Sequence, residues 1–448
     1  MLDLEKAKKL GADKIVLLSL FALSLLIARV IVAMKTSIVL SKPVELRHSG
    51  LSIRLPDKNG WQCAKDWEYK RNAFVLSSLF NPGGARVSAN IRCIYLFAAD
   101  RGSPRDWLEE EILRFEAEST QTGASQTEGL TFDWVYLTEK DSPANMLIAT
   151  ARLPEGRWLD IEIVETVGES ELISQVFEKI IANLRFEQNE LLQTGGRVVE
   201  QIKDKGLTEL IPNQGVQLFF VVKNAAEENI GFAMDHVDRT STYGADNIEG
   251  AGFLYTRTPR AREEASMFQC DDKLSQLSWQ SQTRIGNMRS SRELNISSTG
   301  LLTVMGQSRG GGERQYLLNP AAVPYAVIEA VFNQMITDNL QEIMVDIIYH
   351  DGQVKPVVIS FAEPGPSSPD SSSDAVYIVK LQQLNEDRIG EEFHLDNQMN
   401  AIKRIIKQNG IYILQSSTLE DVIRMFPERA DDVLQRSRML SGDKDNSF

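Results

Sequence analysis

Cysteine is nearly absent: the 448 residues hold three, Cys63, Cys93 and Cys270. None stands in a Cys-x-x-Cys pair or at ligand spacing from the four histidines, His48, His236, His350 and His394, so no metal set is expected. No Gly-x-Ser-x-Gly elbow positions a nucleophile, and no catalytic residue is assigned. The glycine run Gly310-Gly311-Gly312 lacks a following Lys-Ser/Thr or helix start, so it reads as a hairpin turn and not a phosphate cradle; no cofactor is expected. Positive charge is also short. Lys and Arg number 48 against 62 Asp and Glu, a net charge of −14, and no basic cluster beyond the N-terminal stretch is interleaved with aromatics. Nucleic acid is therefore not an expected partner.

What the chain does have is one long apolar run, Ile15–Met34, broken only by Arg29. Twenty residues at helical rise span about 30 Å, the hydrocarbon thickness of a bilayer. The preceding Lys6, Lys8, Lys9 and Lys14 also suit a secretory signal. Against cleavage, the run is long for a signal, and the small-residue sites ending at Ala33 or Ser41 carry Ile31 or Val39 at −3. The expectation is a single-pass signal-anchor in the inner (cytoplasmic) membrane: a cytoplasmic tail over 1–14, a transmembrane helix over 15–34, and the remaining chain on the periplasmic, extracytoplasmic side. Lys35, Lys42 and Arg47 after the span nearly balance the lysines before it, so orientation rests on the short N-terminal tail.

The rest reads as α+β. Over 43–189, Gly50–Pro56, Phe74–Phe80 and Arg86–Phe97 alternate apolar and polar residues as strands with one covered face. Ser103-Pro104 opens a helix with Trp107, Leu108, Ile112 and Phe115 as its buried stripe. A Gly/Ser/Thr/Gln-rich loop follows, then strands Phe132–Leu137, Met146–Ala151 and Trp158–Val164, with Asp160 and Glu162 facing outward. A helix carrying Leu172, Ile173, Val176, Phe177, Ile180, Ile181 and Leu184 closes the unit. This order implies an antiparallel sheet with helices packed on it. With its early strand, proline and Gly60-Trp61, the region resembles the PsbP-like fold, whose members are extracytoplasmic or lumenal assembly and binding modules. Cys63 and Cys93 are the pair that a disulfide would join in an exported body; the alternative is that both are small buried hydrophobes.

Gly195-Gly196 and Pro212 mark 190–214 as a linker with one or two helical turns. From 215 to 440 strand follows strand, interrupted by a helix whose stripe is Val327, Ile328, Val331, Phe332, Met335 and Ile336, and by the hairpin signal Asp351-Gly352. Pro364–Ser373 reads as a flexible loop and 441–448 as a disordered tail. Many short strands, one helix between Asn319 and Asn339 and the hairpin after it resemble the lipoprotein-localisation-factor fold, a β-meander half-barrel with a central helix. That resemblance implies a protein that carries lipidated guests, senses the envelope or, in one lineage, catalyses a reaction. Phe232, Met234, Ile347 and Tyr349 are the candidate lining of an apolar-ligand face, the bland alternative being an ordinary core. The leading expectation is a non-enzymatic, membrane-anchored binding protein of the envelope that holds a lipid or a hydrophobic protein segment. A scaffold within a membrane protein complex is the alternative, and an enzyme on the half-barrel the third.

Overall fold

The computed structural model describes residues 38–440 except 71, 82–87, 98–102, 115–117, 128, 139–143, 167–169, 213, 243–244, 258–260, 307–311, 363–374 and 408–409. The apolar run Ile15–Met34, both terminal tails and the loop Pro364–Ser373 lie outside the described residues, among which no helix is long and apolar enough to cross a membrane. The protein is mostly β, with few helices.

The N-terminal part holds β1 (Val44–Leu46), β2 (Leu51–Ile53), β3 (Trp61–Cys63), β4 (Glu68–Tyr69), β5 (Ala73–Phe80), β6 (Ala89–Leu96), α1 (Pro104–Arg114), β7 (Glu118–Thr127), β8 (Leu130–Thr138), β9 (Asn145–Arg152), β10 (Trp158–Glu165), α2 (Ser170–Ala182) and β11 (Arg185–Phe186). β1, β2 and β11 form a small sheet; the larger antiparallel sheet runs β3-β5-β6-β10-β9-β8-β7, with β4 beside β5. Alternation along β8 explains the layering. Trp134 turns to Phe177 of α2, while Val135 and Leu137 turn to Leu108 of α1 on the opposite face.

Three local expectations are corrected here. The polar stretch Glu118–Thr127 is the edge strand β7, paired only with β8; an edge strand with solvent beside it needs no apolar alternation. Asp160 is buried and accepts a 2.7 Å hydrogen bond from Thr150 Oγ, because α1 covers the face on which it stands; Glu162 is half-buried, 3.0 Å from Arg92. Cys63 and Cys93 are free thiols. β5 lies between their strands, with Cys63 opposite Ser78 and Cys93 opposite Leu76. Two strand spacings are roughly 9–10 Å, beyond the Cα separation that a disulfide bridges.

The second part begins with α3 (Glu190–Lys205) and α4 (Leu207–Leu210), then β12 (Val216–Lys223), β13 (Asn229–Thr242), β14 (Ala245–Thr256), β15 (Arg262–Asp271), β16 (Leu277–Ile285), β17 (Met288–Ile296), β18 (Leu301–Gly306), β19 (Arg314–Leu317), β20 (Ala322–Pro324), α5 (Ile328–Thr337), β21 (Glu342–Ile348), β22 (Val354–Ala362), β23 (Tyr377–Gln383), β24 (Glu391–Leu395), β25 (Ala401–Ile406), β26 (Tyr412–Ser417), α6 (Leu419–Met425) and α7 (Ala430–Leu440). All fifteen strands join one sheet, ordered β19 back to β12, then β26 back to β20. The first strand thus pairs the last, Val222 opposite Leu414, and β20–β21 is the parallel pair. The sheet curls until its distant parts meet across the inner face. Ser281 of β16 donates to the His350 carbonyl at the β21–β22 turn, and a Cβ on Gly352, at φ +78°, would lie 2.7 Å from Val304 of β18.

The stretch expected as a linker is a 16-residue helix capped by Asn189, whose Oδ1 accepts from the Leu191 and Leu192 amides. Its face Leu192, Gly195, Val198, Val199 and Ile202 lies on β21 and beside α5. Gly195 makes this possible, since any Cβ there would overlap the Met344 carbonyl oxygen, whereas Gly196 faces open space.

The two parts meet at buried polar contacts. Arg157, at the head of β10, donates from Nη2 to Asp346 Oδ1 of β21 at 2.8 Å and from Nη1 to the Tyr95 hydroxyl at 2.9 Å. Asn319 donates to the other Asp346 oxygen. Nearby, Asn72 Oδ1 accepts from the Val354 amide at 2.9 Å and the Tyr69 hydroxyl donates to the Val354 carbonyl at 3.2 Å, while Asn385 donates to the Trp67 carbonyl.

These contacts set opposite expectations for adjacent glycines. Gly195→Ala should destabilise the protein by about 1–3 kcal/mol through overpacking. Gly196→Ala should stabilise it by about 0.5–1 kcal/mol through helix propensity. Urea unfolding of each variant measures both; equal effects would contradict the placement of α3.

Candidate functional site

Registers across the barrel-like sheet sort its residues onto two faces. One face carries Val221, Phe232, Met234, Phe253 and Tyr255, and it is covered from outside by Val422 of α6, Phe426 just after it and Val433 of α7; the Phe232 and Phe426 rings lie 5.5 Å apart. The other, concave face carries Ala233, Asp235, Glu264, Ser266, Ser281, Arg292, Val345, Ile347, Tyr349, Lys355, Glu391, Phe393 and Arg404. The four residues expected to line one apolar face therefore divide. Phe232 and Met234 are outward-facing and capped by α6–α7, whereas Ile347 and Tyr349 face inward. Period-2 alternation assigns residues to the faces of their own strand, but only the register relates strands far apart in sequence.

Most of the concave face is filled. Ile347 is wholly buried within the core that α3 and α5 complete, and Phe332 of α5 meets Phe393 edge-on at 5.2 Å. Toward the centre stands a charged group. Arg404 pairs with Glu391, which also accepts a 2.5 Å hydrogen bond from the Tyr325 hydroxyl; the Arg404 guanidinium lies 5.1 Å over the Tyr325 ring, and Tyr325 stacks on Tyr349 at 5.3 Å. Asp235 and Glu329 of α5 face the same group. Burial raises both carboxyls, Glu329 to about 7, with the charge of Asp235 adding to the rise and Arg404 opposing it. Gly252, opposite Asp235, leaves room for that carboxylate, since a Cβ there would lie 2.8 Å from its Oδ1.

Where α3 and α5 do not reach, a cleft of about 390 Å³ remains between β15–β17 and the β21–β22 turn. Arg262, Thr283 and Arg292 stand on one wall, with Tyr349, Asp351 and Lys355 on the other. Lys355 Nζ sits 5.4 Å from the Tyr349 ring centre and 5.7 Å from that of Tyr69 in the N-terminal part, so this one lining side chain lies between rings from both halves of the chain. Burial lowers the Lys355 ammonium pKa, opposed by Asp351 and Glu386, and raises the Tyr69 phenol to about 12. Of this site, Tyr349 alone was anticipated. The signal that could have found the rest is the polar alternation Arg262, Glu264, Ser266 and Ser281, Thr283 on strand faces that the sheet turns inward.

Comparison with models of known families finds no match. Comparison with curated proteins finds none either. Among solved structures, the chain is similar to a beta-barrel-like protein of the domain of unknown function DUF1849 from Brucella abortus, with 7% identity and a TM-score of 0.35, over 45% of this chain and 95% of that one.

The interior carboxyls dictate a pH dependence. A carboxyl raised in the folded state contributes stability that is complete below its unfolded value and lost as pH rises through the folded value. For Glu329 that window runs from 4.5 to about 7, and Asp235 acts in the same direction. The urea midpoint should fall between pH 5 and pH 8, and Glu329→Gln should flatten the decline. A variant whose profile parallels the parent would contradict the assignment.

Proposed function

We propose that this chain is a membrane-anchored, extracytoplasmic binding protein of the cell envelope that grips a polar ligand or partner segment and performs no chemistry on it. The observation that carries this reading is the filling of the concave face. Side chains of α3 and α5 occupy the volume that an acyl guest would need, and a charged cleft is left at one end. Displacing α3 would expose Leu192, Val198, Val199 and Ile202, each of which loses about 1.5–3 kcal/mol on leaving the core. A lipid guest is thus disfavoured by the cost of making room. The scaffold alternative draws on the same observation, because a filled body offers its partner an outer surface.

The apolar run Ile15–Met34 supplies the anchor in this reading, and its orientation puts both sheet-bearing parts outside the cytoplasm. Fractionation with protease accessibility tests it. The full chain should sediment with membranes and be cut from the outer side, and a chain beginning at Pro43 should stay soluble and carry no lipid in native mass spectrometry. Recovery of the full chain in the cytosol, or of a bound acyl lipid with the shortened chain, would overturn it.

A further inference from the structure

Donors and acceptors in the cleft are out of balance. Its acceptors are largely engaged within the protein. Glu264 Oε1 takes both Nε and Nη2 of Arg262, and Asp351 receives the Gln353 amide at 3.0 Å on one oxygen and the Gln353 side chain at 2.7 Å on the other. The donors are not. Among the described residues, Arg292 makes one hydrogen bond, to the Asp351 carbonyl at 3.3 Å, and its guanidinium stays 3.8 Å from the Asp351 carboxylate. A guanidinium offers five N–H groups, so most of those on Arg292 are unused. The hydroxyls of Thr283 and Ser290 on the same wall make no hydrogen bond among the described residues, and the half-buried ammonium of Lys355 faces them across the cleft. Three basic side chains, Arg262, Arg292 and Lys355, line the cleft with two acidic ones, Glu264 and Asp351, and Glu386 acts on Lys355 from beyond the lining. Such a gathering of cations in a chain of net charge −14 draws oppositely charged solutes to the wall that carries Arg292.

We propose that this cleft binds a small polar molecule through an oxyanionic group, a carboxylate or a phosphate, with Arg292, Lys355 and the Thr283 and Ser290 hydroxyls as its donors. The proposal rests on the binding reading above and names its ligand chemistry. A carboxylate is acceptor-only and a phosphate presents chiefly acceptor oxygens, which matches a site whose own acceptors are largely taken. Its arrival also compensates the ammonium that burial disfavours, since an opposite charge restores what desolvation removes. The volume lies within the range of small-molecule sites and is large enough for more than the anion itself.

Isothermal titration of the full chain in detergent with citrate, inorganic phosphate and neutral trehalose tests this. At least one of the two anions should bind saturably, more weakly as salt rises, and about tenfold more weakly in Arg292→Gln, the loss of one charge-assisted hydrogen bond. Citrate without phosphate identifies the carboxylate, and phosphate without citrate the phosphate. Lys355→Gln, checked for folding by near-ultraviolet circular dichroism, should weaken the same anion. Anion binding unchanged in both variants, or no saturable anion binding, overturns the proposal. Trehalose binding as tightly as either anion also overturns it, while leaving the binding reading intact. That reading fails separately, by the fractionation result.

Discussion

An ion pair taken wholly out of water holds the two halves of this protein in one arrangement. Arg157, immediately before β10, and Asp346, on β21 of the other sheet, are both fully buried, and neither could remain there without the other. Removing one partner of such a pair leaves a charge that costs about 3–5 kcal/mol to keep dry. Tyr95 on one side and Asn319 on the other add hydrogen bonds to the pair, so the contact is directional as well as charged. Asp346 belongs to β21, the strand on which α3 rests; the same strand thus meets the N-terminal part through its outer face and α3 through its inner face. The position of α3 and the docking of the N-terminal sheet therefore share one support.

That coupling decides what kind of site the curled sheet can offer. A half-barrel with an empty concave face would shelter an apolar guest, but here the chain entering the barrel fills it with its own helix before the first barrel strand begins. α5 completes the plug from the middle of the sequence. The remaining space is polar, it lies where the β21–β22 turn folds back over β16 and β18, and Tyr69 from the other half packs beside Lys355 of its wall. The shape of the cleft depends on how the two halves dock, because Asn72 and Tyr69 hold Val354 at the base of the same turn. Shape and charge in the cleft follow from the interface.

Much of the local structure was legible in the sequence. The strands from Val216 to Asp238, the helix with Val331, Phe332 and Met335, and the Asp351-Gly352 hairpin follow from alternation, helical spacing and turn chemistry, which are short-range properties. The edge strand β7 was hidden because an exposed edge carries no apolar rhythm. Helix α3 was hidden because Gly195-Gly196 looks like a break; close approach to the Met344 carbonyl gives Gly195 its purpose, and no local signal reports a contact that distant. The site was the least legible part. Its residues come from strands whose register is set by a sheet of fifteen, so that Phe232 and Ile347, alike in pattern, end on opposite faces.

Unfolding followed separately in the two halves tests the coupling most directly. Five of the six tryptophans, Trp61, Trp67, Trp107, Trp134 and Trp158, lie in the N-terminal part, and Trp279 alone reports on the curled sheet. In each of two variants, one retaining only Trp279 and one lacking only Trp279, tryptophan fluorescence and far-ultraviolet circular dichroism should give one coincident urea transition. Its midpoint should fall in both when Arg157→Met is introduced. Two separated transitions, with the Trp279 signal unmoved by Arg157→Met, would show that the halves stand independently and contradict the account.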